Sequence, residues 1–340
     1  MTKYSVDWAH KEDKLFFYDG EKLWKKPKLK KGDELYTENI PWKYSRKILQ
    51  MDIKIFRVHQ NIIAQFRKSK GLEKTDEADA RLIYEYSQMH PEDFKSYLGE
   101  PALKLMYATF KEIQKVRVST GQRIWAVGED ENNGHILKSI SKIEHDIEKE
   151  MLAELQNHKI WEWLSPIKGM GAATASGLIA YIGDIERFEM PSHLISYAGL
   201  DVINGLAPKK RKGKELNHHP KLKSLLLGII GDNFRKQRTE IYRNIYDIEK
   251  KKELDKRFPP GFLKEKYNGY KEKDIKLSKG HADNRAIRKM MKIFLQHYWV
   301  LARQLHGLDT RPPFVHDKLK HKTYIMPPHI PKSLLPFKPF

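Results

Sequence analysis

Two aspartates, Asp76 and Asp79, stand three residues apart in the run 74–80. If this run is helical, both side chains lie on one face of the helix. Carboxylate oxygens are the ligands that Mg²⁺ prefers, and a pair of metal ions can serve the attacking and leaving oxygens of a phosphoryl transfer. Two ordinary explanations stay open. Thr75-Asp76 is a common helix start, and Asp79 can lie on a solvated face.

Two further acids, Asp7 and Glu38, fall in stretches that predict strands. The predicted strands are 4–8, 15–18, 21–24, 34–38 and 53–58. Asp7 therefore belongs to the first strand and Glu38 to the fourth, and Asp19-Gly20 is a strong hairpin-turn signal between the second and third. Helical spacing follows at 41–50, at 62–66 and from Thr75 onwards. A hairpin followed by alternating helices and strands predicts an α/β domain.

The middle of the chain has a different pattern. Apolar residues at steps of three and four run from Leu103 to Leu155, with an interruption at 128–134 that is rich in glycine, asparagine and acid. This pattern predicts two long antiparallel helices. They form either a coiled coil that links domains or a hairpin packed on a core, and the two arrangements differ in how exposed the helices are.

The third region, which begins at Trp161, is predicted to be mainly helical. The predicted organisation is α/β plus α, with domains at 1–100, 101–160 and 161–310 and a proline-rich tail at 311–340 that has little regular structure.

A glycine turn precedes a small-residue helix in the third region. Ile167 is followed by Lys168, Gly169, Met170 and Gly171, and then by a helical run that contains Thr174. This is the pattern of a helix-hairpin-helix, whose second helix presents free N–H groups to a backbone phosphate. Lys168, Gly169, Gly171 and Thr174 are therefore candidate DNA-binding residues. The alternative is a helix corner that uses glycine for packing alone.

Basic residues then accumulate at Lys209, Lys210, Arg211 and Lys212. The whole chain has 64 Lys and Arg against 44 Asp and Glu, a formal charge of +20. Nucleic acid is the commonest partner for such a surplus, because phosphates release counterions when Lys and Arg bind them. The alternative is a solvated basic face. The adjacent His218 and His219 lack further ligands that would suggest a metal site.

Some classes of protein are excluded or disfavoured by composition. The chain has no cysteine, which excludes disulfides and cysteine-based zinc sites. Neither an apolar leader nor a run of 18 apolar residues occurs, so we expect a cytoplasmic, nucleoid-associated protein with no membrane segment.

Several motifs together resemble the DEDD transposases of insertion sequences, the IS110 type. In the N-terminal half the resemblance rests on Val6-Asp7, on Thr37-Glu38-Asn39 and on the run 66–80, which contains Lys74-Thr75-Asp76 and Asp79-Ala80. In the C-terminal half the similar residues are Gly169 and Gly171, Thr174-Ala175, Ile182-Gly183-Asp184-Ile185, Arg187-Phe188 and Tyr197-Ala198-Gly199-Leu200. Together these motifs cover nearly the whole chain.

The resemblance implies an RNase H-like (RuvC-like) N-terminal domain, a coiled-coil region and a C-terminal transposase domain. It also implies that Asp7, Glu38, Asp76 and Asp79 bind Mg²⁺ or Mn²⁺ and catalyse DNA strand cleavage and rejoining in transposition. A structured guide RNA and a dimer or tetramer are further implications.

The chain departs from this family in two places. Asp7 and Glu38 are closer in sequence than the family pattern leads us to expect, so that an RNase H helix is missing between them. The family's serine nucleophile, which precedes a glycine, has no counterpart, because no serine lies between Ser196 and Ser224. Two alternatives therefore stay open. The chain is a decayed or domesticated nucleic-acid-binding protein, or it is a nuclease that resembles a Holliday-junction resolvase.

Three serines flank this gap, and two of them are predicted to have structural roles. Ser192 is predicted to cap a helix, and Ser224 is predicted to face the core. Ser196 is no more convincing as a nucleophile. We therefore predict no stable protein–DNA adduct.

Overall fold

The structure is a computed structural model, and it describes residues 2–49, 51, 53–96, 101–128, 131–202, 206–207, 213, 216–312 and 324–339. The chain divides into two compact units, Met1–Ala102 (unit 1) and Leu103–Phe340 (unit 2). The finer boundaries at 160 and 310 stay predictions.

Unit 1 is a mixed α/β structure, as the sequence predicts. Its strands are β1 Lys3–Ala9, β2 Lys14–Tyr18, β3 Leu23–Trp24, β4 Glu34–Thr37, β5 Lys54–Arg57 and β6 Lys95–Ser96. Its helices are α1 Trp42–Leu49, α2 Gln60–Ser69 and α3 Asp76–Met89, and a 3₁₀ turn lies at Pro91–Asp93. The segment 25–33, between β3 and β4, forms no helix. This agrees with the short separation of Asp7 and Glu38 in the sequence, which predicts that a helix is missing between them.

The six strands form one sheet in the order β3-β2-β1-β4-β5-β6. β1, β2 and β3 pair antiparallel, while β1, β4 and β5 pair parallel. The β2–β3 turn forms where Asp19-Gly20 predicts it. Asp19 Oδ1 accepts hydrogen bonds from the backbone N–H groups of Glu21 and Lys22, and Gly20 has a φ of 98°.

The two faces of the sheet have separate cores, because side chains alternate along each strand. Val6 and Leu35 pack on one face with Ile48 of α1. Ala9 packs on the opposite face with Ala80 of α3. Asp7 lies two residues before Ala9, so its side chain belongs to the face that α3 covers.

Unit 2 is helical throughout its described regular elements. These are α4 Pro101–Val127, α5 Glu131–Leu155, α6 Trp161–Leu164, α7 Ala172–Ile182, α8 Pro191–Tyr197, α9 Pro220–Ser224, α10 Gly231–Lys236, α11 Glu240–Asp255, α12 Phe262–Lys266 and α13 Lys279–Leu305. A π-helix, Leu225–Ile230, joins α9 to α10, and a 3₁₀ turn lies at Lys332–Leu334.

The long helices α4 and α5 form the predicted hairpin. Near the middle of the hairpin, Gln114 Nε2 donates to Glu144 Oε1 at 3.4 Å, and Arg117 forms an ion pair with the same carboxylate. The base of the hairpin is buried in the main core, through Tyr107 of α4 and Met151 of α5. The distal half is exposed. The base of the hairpin therefore packs on a core, whereas the distal half has the exposure of the other arrangement that the sequence left open.

The described part of the tail, residues 324–339, has little regular structure, as predicted, since its one regular element is the 3₁₀ turn Lys332–Leu334, but it is held against the helices of unit 2 by hydrogen bonds. Trp163 Nε1 donates to Pro328 O at 2.8 Å, and His297 Nε2 contacts Ile325 O at 2.7 Å. Both donors are buried, and a buried N–H without a partner is costly, so the tail is needed to complete this core. Among the described helices, none has the length and apolar character needed to cross a bilayer.

Candidate active site and nucleic-acid surface

The sheet places Asp7 and Glu38 side by side. β1 and β4 are parallel neighbours with Ser5 opposite Tyr36. Two residues further on, Asp7 is level with Glu38, and adjacent strands lie about 4.8 Å apart. Both acids lie at the carboxyl ends of their strands, where ligands of open α/β sheets bind.

The start of α3 lies over β1 and brings the two aspartates of the 74–80 run to the same place. Ser5 Oγ donates to Ala80 O at 2.5 Å, which fixes the first turns of the helix against the strand. Thr75 caps the helix as predicted, because its side chain accepts a hydrogen bond from Ala78 N at 3.1 Å. Asp79 is 1% exposed, whereas Asp76 is half-buried.

The electrostatics indicate that the four predicted acids form one cluster. Burial, followed by the charges of Glu38, Asp79 and Asp76, raises the pKa of Asp7 to about 7. Burial also raises the pKa of Glu38, where Asp79 adds to the effect. Asp7 is 6% exposed. A carboxyl group in this setting lacks the positive charge that would stabilise its ionised form.

Arg67 of α2 supplies part of that positive charge, and the sequence reasoning did not single it out. Arg67 Nε donates to Asp79 Oδ1 at 2.6 Å, and both side chains are largely buried. Burial raises the pKa of Asp79, and the hydrogen bond from Arg67 opposes this rise. The other oxygen, Asp79 Oδ2, is buried and has no hydrogen-bond partner among the described residues.

The chemistry of the cluster fits a divalent cation, although the present arrangement of side chains does not form a finished metal site. No three Asp, Glu or His side chains among the described residues are placed so that they could share one ion. However, Asp79 Oδ2 is buried without a hydrogen-bond partner among the described residues, and the pKa of Asp7 is about 7. Both observations indicate that the carboxylates lack compensating positive charge. Hard carboxylate oxygens suit Mg²⁺ and Mn²⁺.

The glycine turn of unit 2 is held by side chains from behind. Thr239 Oγ1 donates to Lys168 O at 2.7 Å, and Asn233 Nδ2 donates to Gly169 O at 3.0 Å. Gly169 has a φ of 90°, and a Cβ there would lie 3.2 Å from Asn233 Cβ. Packing therefore explains Gly169.

Packing does not explain Gly171. Its φ of −76° suits any residue, and no atom lies within 4 Å of the position a Cβ would take. Gly171 precedes α7, the predicted small-residue helix, and is exposed, as is Lys168, whereas Thr174 in the first turn is half-buried. The N-terminus of α7 is thus open at the backbone. The preceding helix α6 has only four residues, so a full helix-hairpin-helix stays a prediction.

The Tyr197–Leu200 motif turns the chain sharply after α8. Gly199 has a φ of 65°, and a Cβ there would lie 2.5 Å from the His218 ring and 3.1 Å from Lys223 Cδ. Only glycine fits both constraints. The Tyr197 hydroxyl donates to Tyr181 O at 3.2 Å, which ties this motif to α7. The basic residues Lys209, Lys210, Arg211 and Lys212 lie outside the described residues.

The serines that flank the gap have roles that differ from two of the predictions. Ser192 does not cap α8, because Met190 is the cap and Pro191 takes the first helical position. Ser224 is exposed rather than core-facing, because Leu222, Leu225 and Leu226 form the buried face and Ser224, two residues after Leu222, lies on the other side of the helix. Ser196 Oγ donates to Asp201 Oδ2 at 3.1 Å.

His219 also has a structural role, because its Nδ1 caps α9 by accepting a hydrogen bond from Leu222 N at 3.0 Å.

Comparison with known proteins finds a family match for one segment of unit 2. Residues 162–243 match the family described as Transposase IS116/IS110/IS902. The match begins in α6, includes the glycine turn and the Gly199 turn, and ends in α11. No curated protein matches the chain. Residues 162–243 are therefore similar to the IS116/IS110/IS902 transposase family, and this match covers about a quarter of the chain.

Proposed function

We propose that the chain is a metal-dependent DNA transposase, with Asp7, Glu38, Asp76 and Asp79 as the residues that hold the metal. The observation that carries the proposal is the pKa of about 7 for Asp7, which arises from burial and from the three other acids. Four acids from β1, from the end of β4 and from α3 meet although they are far apart in sequence, and strongly perturbed groups of this kind are concentrated at functional sites.

The role of each residue follows from its setting. Mg²⁺ or Mn²⁺ would supply Lewis-acid polarisation of the scissile phosphate and a metal-bound nucleophile. Asp79 would bind through its unpaired Oδ2, while Arg67 holds Oδ1 and so orients the carboxylate. Asp7 and Glu38 would bind from the neighbouring strand ends. In this proposal Arg67 is a positioning residue.

An RNase H-like fold is part of the proposal. It is supported by the β1–β3 antiparallel meander, which continues through β1 into parallel strands β4 and β5, and by acids at the adjacent ends of β1 and β4. It also agrees with the family match in unit 2, since the resemblance joins that segment to an RNase H-like domain.

The DNA contact in unit 2 is assigned to the glycine turn and the basic residues that follow. Gly171 leaves the N-terminus of α7 open, and Lys168 is exposed beside it, so a backbone phosphate can approach N–H groups and a positive charge together. Lys209, Lys210, Arg211 and Lys212 would add phosphate contacts. A guide RNA is proposed from the resemblance alone.

A homo-oligomer is also proposed, through the distal half of the α4–α5 hairpin. Apolar side chains there are exposed although they keep helical spacing: Val116, Val118, Trp125, Ile136 and Ile143. A second copy of the hairpin would cover them.

The test of the proposed chemistry is cleavage of a labelled DNA duplex that carries the ends of the mobile element. We expect Asp7→Asn and Glu38→Gln to lower the cleavage rate by at least about 100-fold, because each removes a charge that the metal needs. Glu12→Gln, an exposed acid in the same unit, is the control and should cleave normally. Equal rates for Asp7→Asn and the unmodified protein would refute the proposed centre.

A nuclease without a covalent step is the second candidate. It is favoured because Ser196 already donates to Asp201 and because the sequence has no serine from 197 to 223. We expect no labelled protein band after incubation with Mg²⁺ and labelled DNA followed by denaturation. Such a band would contradict this candidate, and its loss in Ser196→Ala or Ser224→Ala would identify the nucleophile.

A further inference from the structure

A pair of phenylalanine rings lies at the surface of the segment 256–278, which joins α11 to α13 in unit 2. The rings of Phe258 and Phe262 are stacked, with their centroids 5.4 Å apart and their planes 10° from parallel. Phe262 is 37% exposed, and Phe258 is half-buried. Among the described residues, the main core of unit 2 and the side chains packed against it include neither ring. Burial in that core therefore does not account for the pair.

The turn that carries the two rings is fixed by its backbone. Phe258 N donates to Ile275 O at 2.9 Å, and Gly261 N donates to Glu272 O at 2.9 Å. The residues between the two donors include the prolines 259–260, whose rings restrict their own φ angles. The pair is therefore held in place without a partner, and a partner that stacks on it loses little affinity to ordering of the protein.

A lysine ammonium lies over each ring. Lys256 Nζ is 5.2 Å from the centroid of Phe258, and Lys266 Nζ is 5.4 Å from the centroid of Phe262, which lies one turn earlier in α12. Lys256 is exposed, and Lys266 is half-buried. The segment 256–278 as a whole has seven Lys and Arg against three Asp and Glu. The surface therefore combines flat aromatic rings with positive charge next to each ring.

This combination is complementary to a nucleotide of an unpaired strand. Every nucleobase has a flat π face that stacks on an aromatic ring, and the phosphates that flank it are negatively charged. In a duplex the neighbouring base pairs cover both faces of a base, so stacking on a protein ring requires an unpaired base. Stacking of a base contributes more than the contact of an ammonium with an exposed ring. A base can therefore displace the lysine from the ring, and the ammonium can then pair with a flanking phosphate.

We propose that Phe258 and Phe262 form a stacking platform for an unpaired base of a DNA strand, and that Lys256 and Lys266 pair with the flanking phosphates. The inference rests on the proposed function, because strand cleavage and rejoining supply DNA with unpaired bases. It does not require that the carboxylates hold the metal. The platform lies outside the segment 162–243 that matches the transposase family.

The first test is photocross-linking of the full chain, which needs no variant. A single-stranded DNA oligonucleotide carries one iodouracil base, which cross-links on irradiation to an aromatic side chain that stacks on it. The comparison arms are the same oligonucleotide annealed to its complement, and the same oligonucleotide mixed with an equal amount of unlabelled RNA of the same sequence. Mass spectrometry then identifies the cross-linked residues.

The unpaired DNA should cross-link to Phe258 or Phe262, and annealing should lower the yield at these residues at least about fivefold, because a paired base is already stacked. Cross-links at other residues alone, or an equal yield from the duplex, would overturn the platform. Loss of the DNA cross-link in the presence of RNA would overturn the assignment to DNA.

The second test is the affinity for the unpaired DNA strand, measured by fluorescence anisotropy. Phe262→Leu should weaken binding by about 5- to 100-fold, because leucine keeps an apolar side chain but has no π face. Phe262→Trp keeps an aromatic face and should bind at least as tightly as the unmodified protein. Equal affinities of these two variants would show that the ring does not stack on a base.

The lysines are tested by the salt dependence of the same affinity. Lys256→Gln should reduce the slope of log K against log salt by about 0.7, the value for one lost phosphate contact on a single strand. Lys138→Gln removes the same charge at an exposed position of α5 and should leave the slope nearly unchanged. Equal slopes for the two variants would refute the phosphate contact.

Asp7→Asn separates this inference from the proposed chemistry. If this variant cross-links at the platform but no longer cleaves, both proposals stand. If it cleaves as fast as the unmodified protein and Phe258 or Phe262 still cross-links, only the carboxylate centre fails. If cleavage depends on Asp7 but neither ring cross-links, only the platform fails.

Discussion

The two units of this chain hold half-buried charges of opposite sign. Unit 1 gathers three acids around Asp7, and the cations Arg67, Lys74 and Arg57 act on members of this group. Unit 2 holds a cluster of three half-buried cations on which the charge of Asp201 acts, namely Lys223, Arg288 and Lys292. The first cluster holds the carboxylates that we propose as metal ligands, whereas the second consists mainly of basic side chains.

We expect the free energies of unfolding of the two units to depend on pH in opposite directions, with the larger effect in unit 1. The folded pKa of Asp7 is raised from 3.8 to about 7. The stability that unit 1 gains from protonated Asp7 is therefore fully present below pH 3.8, and it is lost as the pH rises to about 7. The free energy of unfolding of unit 1 should fall over this window by up to about 4 kcal/mol.

Urea unfolding followed by pulsed hydrogen exchange of peptides from β1 and α3 measures this change for unit 1 alone. Asp7→Asn should abolish most of the pH dependence, whereas Glu12→Gln, an exposed acid, should keep it. A dependence that persists unchanged in Asp7→Asn would show that another group causes it. Adding Mg²⁺ at pH 8 should raise the stability of unit 1 and should have little effect at pH 4.

Unit 2 should respond to pH in the opposite direction. Burial lowers the pKa of His297 from 6.5 to about 4, and the hydrogen bond to Ile325 O opposes this only in part. The stability that unit 2 gains from neutral His297 is fully present above pH 6.5, and it is lost as the pH falls to about 4. The free energy of unfolding of unit 2 should decrease by up to about 3 kcal/mol across that window.

The same unfolding experiment, read from peptides of α11 and α13, tests this prediction. His297→Gln should flatten the dependence between pH 6.5 and 4 while lowering stability at pH 7, because the contacts to Tyr242 and Ile325 are lost. His193→Gln, at an exposed position, is the control. If unit 2 becomes more stable as the pH falls, the predicted sign is wrong.

A smaller effect is expected where the hairpin joins the core of unit 2. A Cβ on Gly177 of α7 would lie 2.5 Å from the ring of Tyr107 in α4. Gly177→Ala should therefore lower the free energy of unfolding of unit 2 by about 1–3 kcal/mol, as overpacking does.

The matched control is Gly121→Ala in α4, where the nearest atom, Leu137 Cδ2, lies 3.8 Å from the new Cβ. Helix propensity should make this change stabilising by about 0.5–1 kcal/mol. The two variants are compared by urea unfolding. Equal effects of the two changes would mean that Tyr107 moves aside without cost.

Much of unit 1 could be predicted because its signals are local. Alternating residues define β1, Asp19-Gly20 defines the β2–β3 turn, and Thr75 defines the start of α3. The convergence of the four acids was expected from the resemblance, and the parallel pairing of β1 with β4 gives its physical reason. The pairing itself is a long-range contact, which spacing along the chain does not encode.

The contacts that sequence reasoning missed join distant elements. Nothing in the spacing of Arg67 and Asp79 pairs α2 with α3. Ser224 was misplaced because the whole apolar run was taken as core-facing, although Leu222 and Leu226 share one face and Ser224 lies on the other. Arg288 and Lys292 did leave a signal, since two cations four residues apart interrupt the apolar face of α13, whose neighbours Met291 and Phe294 are buried.

The hydrogen bond from Trp163 to Pro328 constrains the order of events during translation. These residues are 165 positions apart, so a ribosome that adds about 5–20 residues per second needs roughly 8–33 s between them. Unit 1 is then fully synthesised long before unit 2 can complete its core. We expect nascent chains arrested before residue 324 to resist protease in unit 1 and to be cut readily around Trp163. Protease resistance at both places in such chains would contradict this sequence of folding.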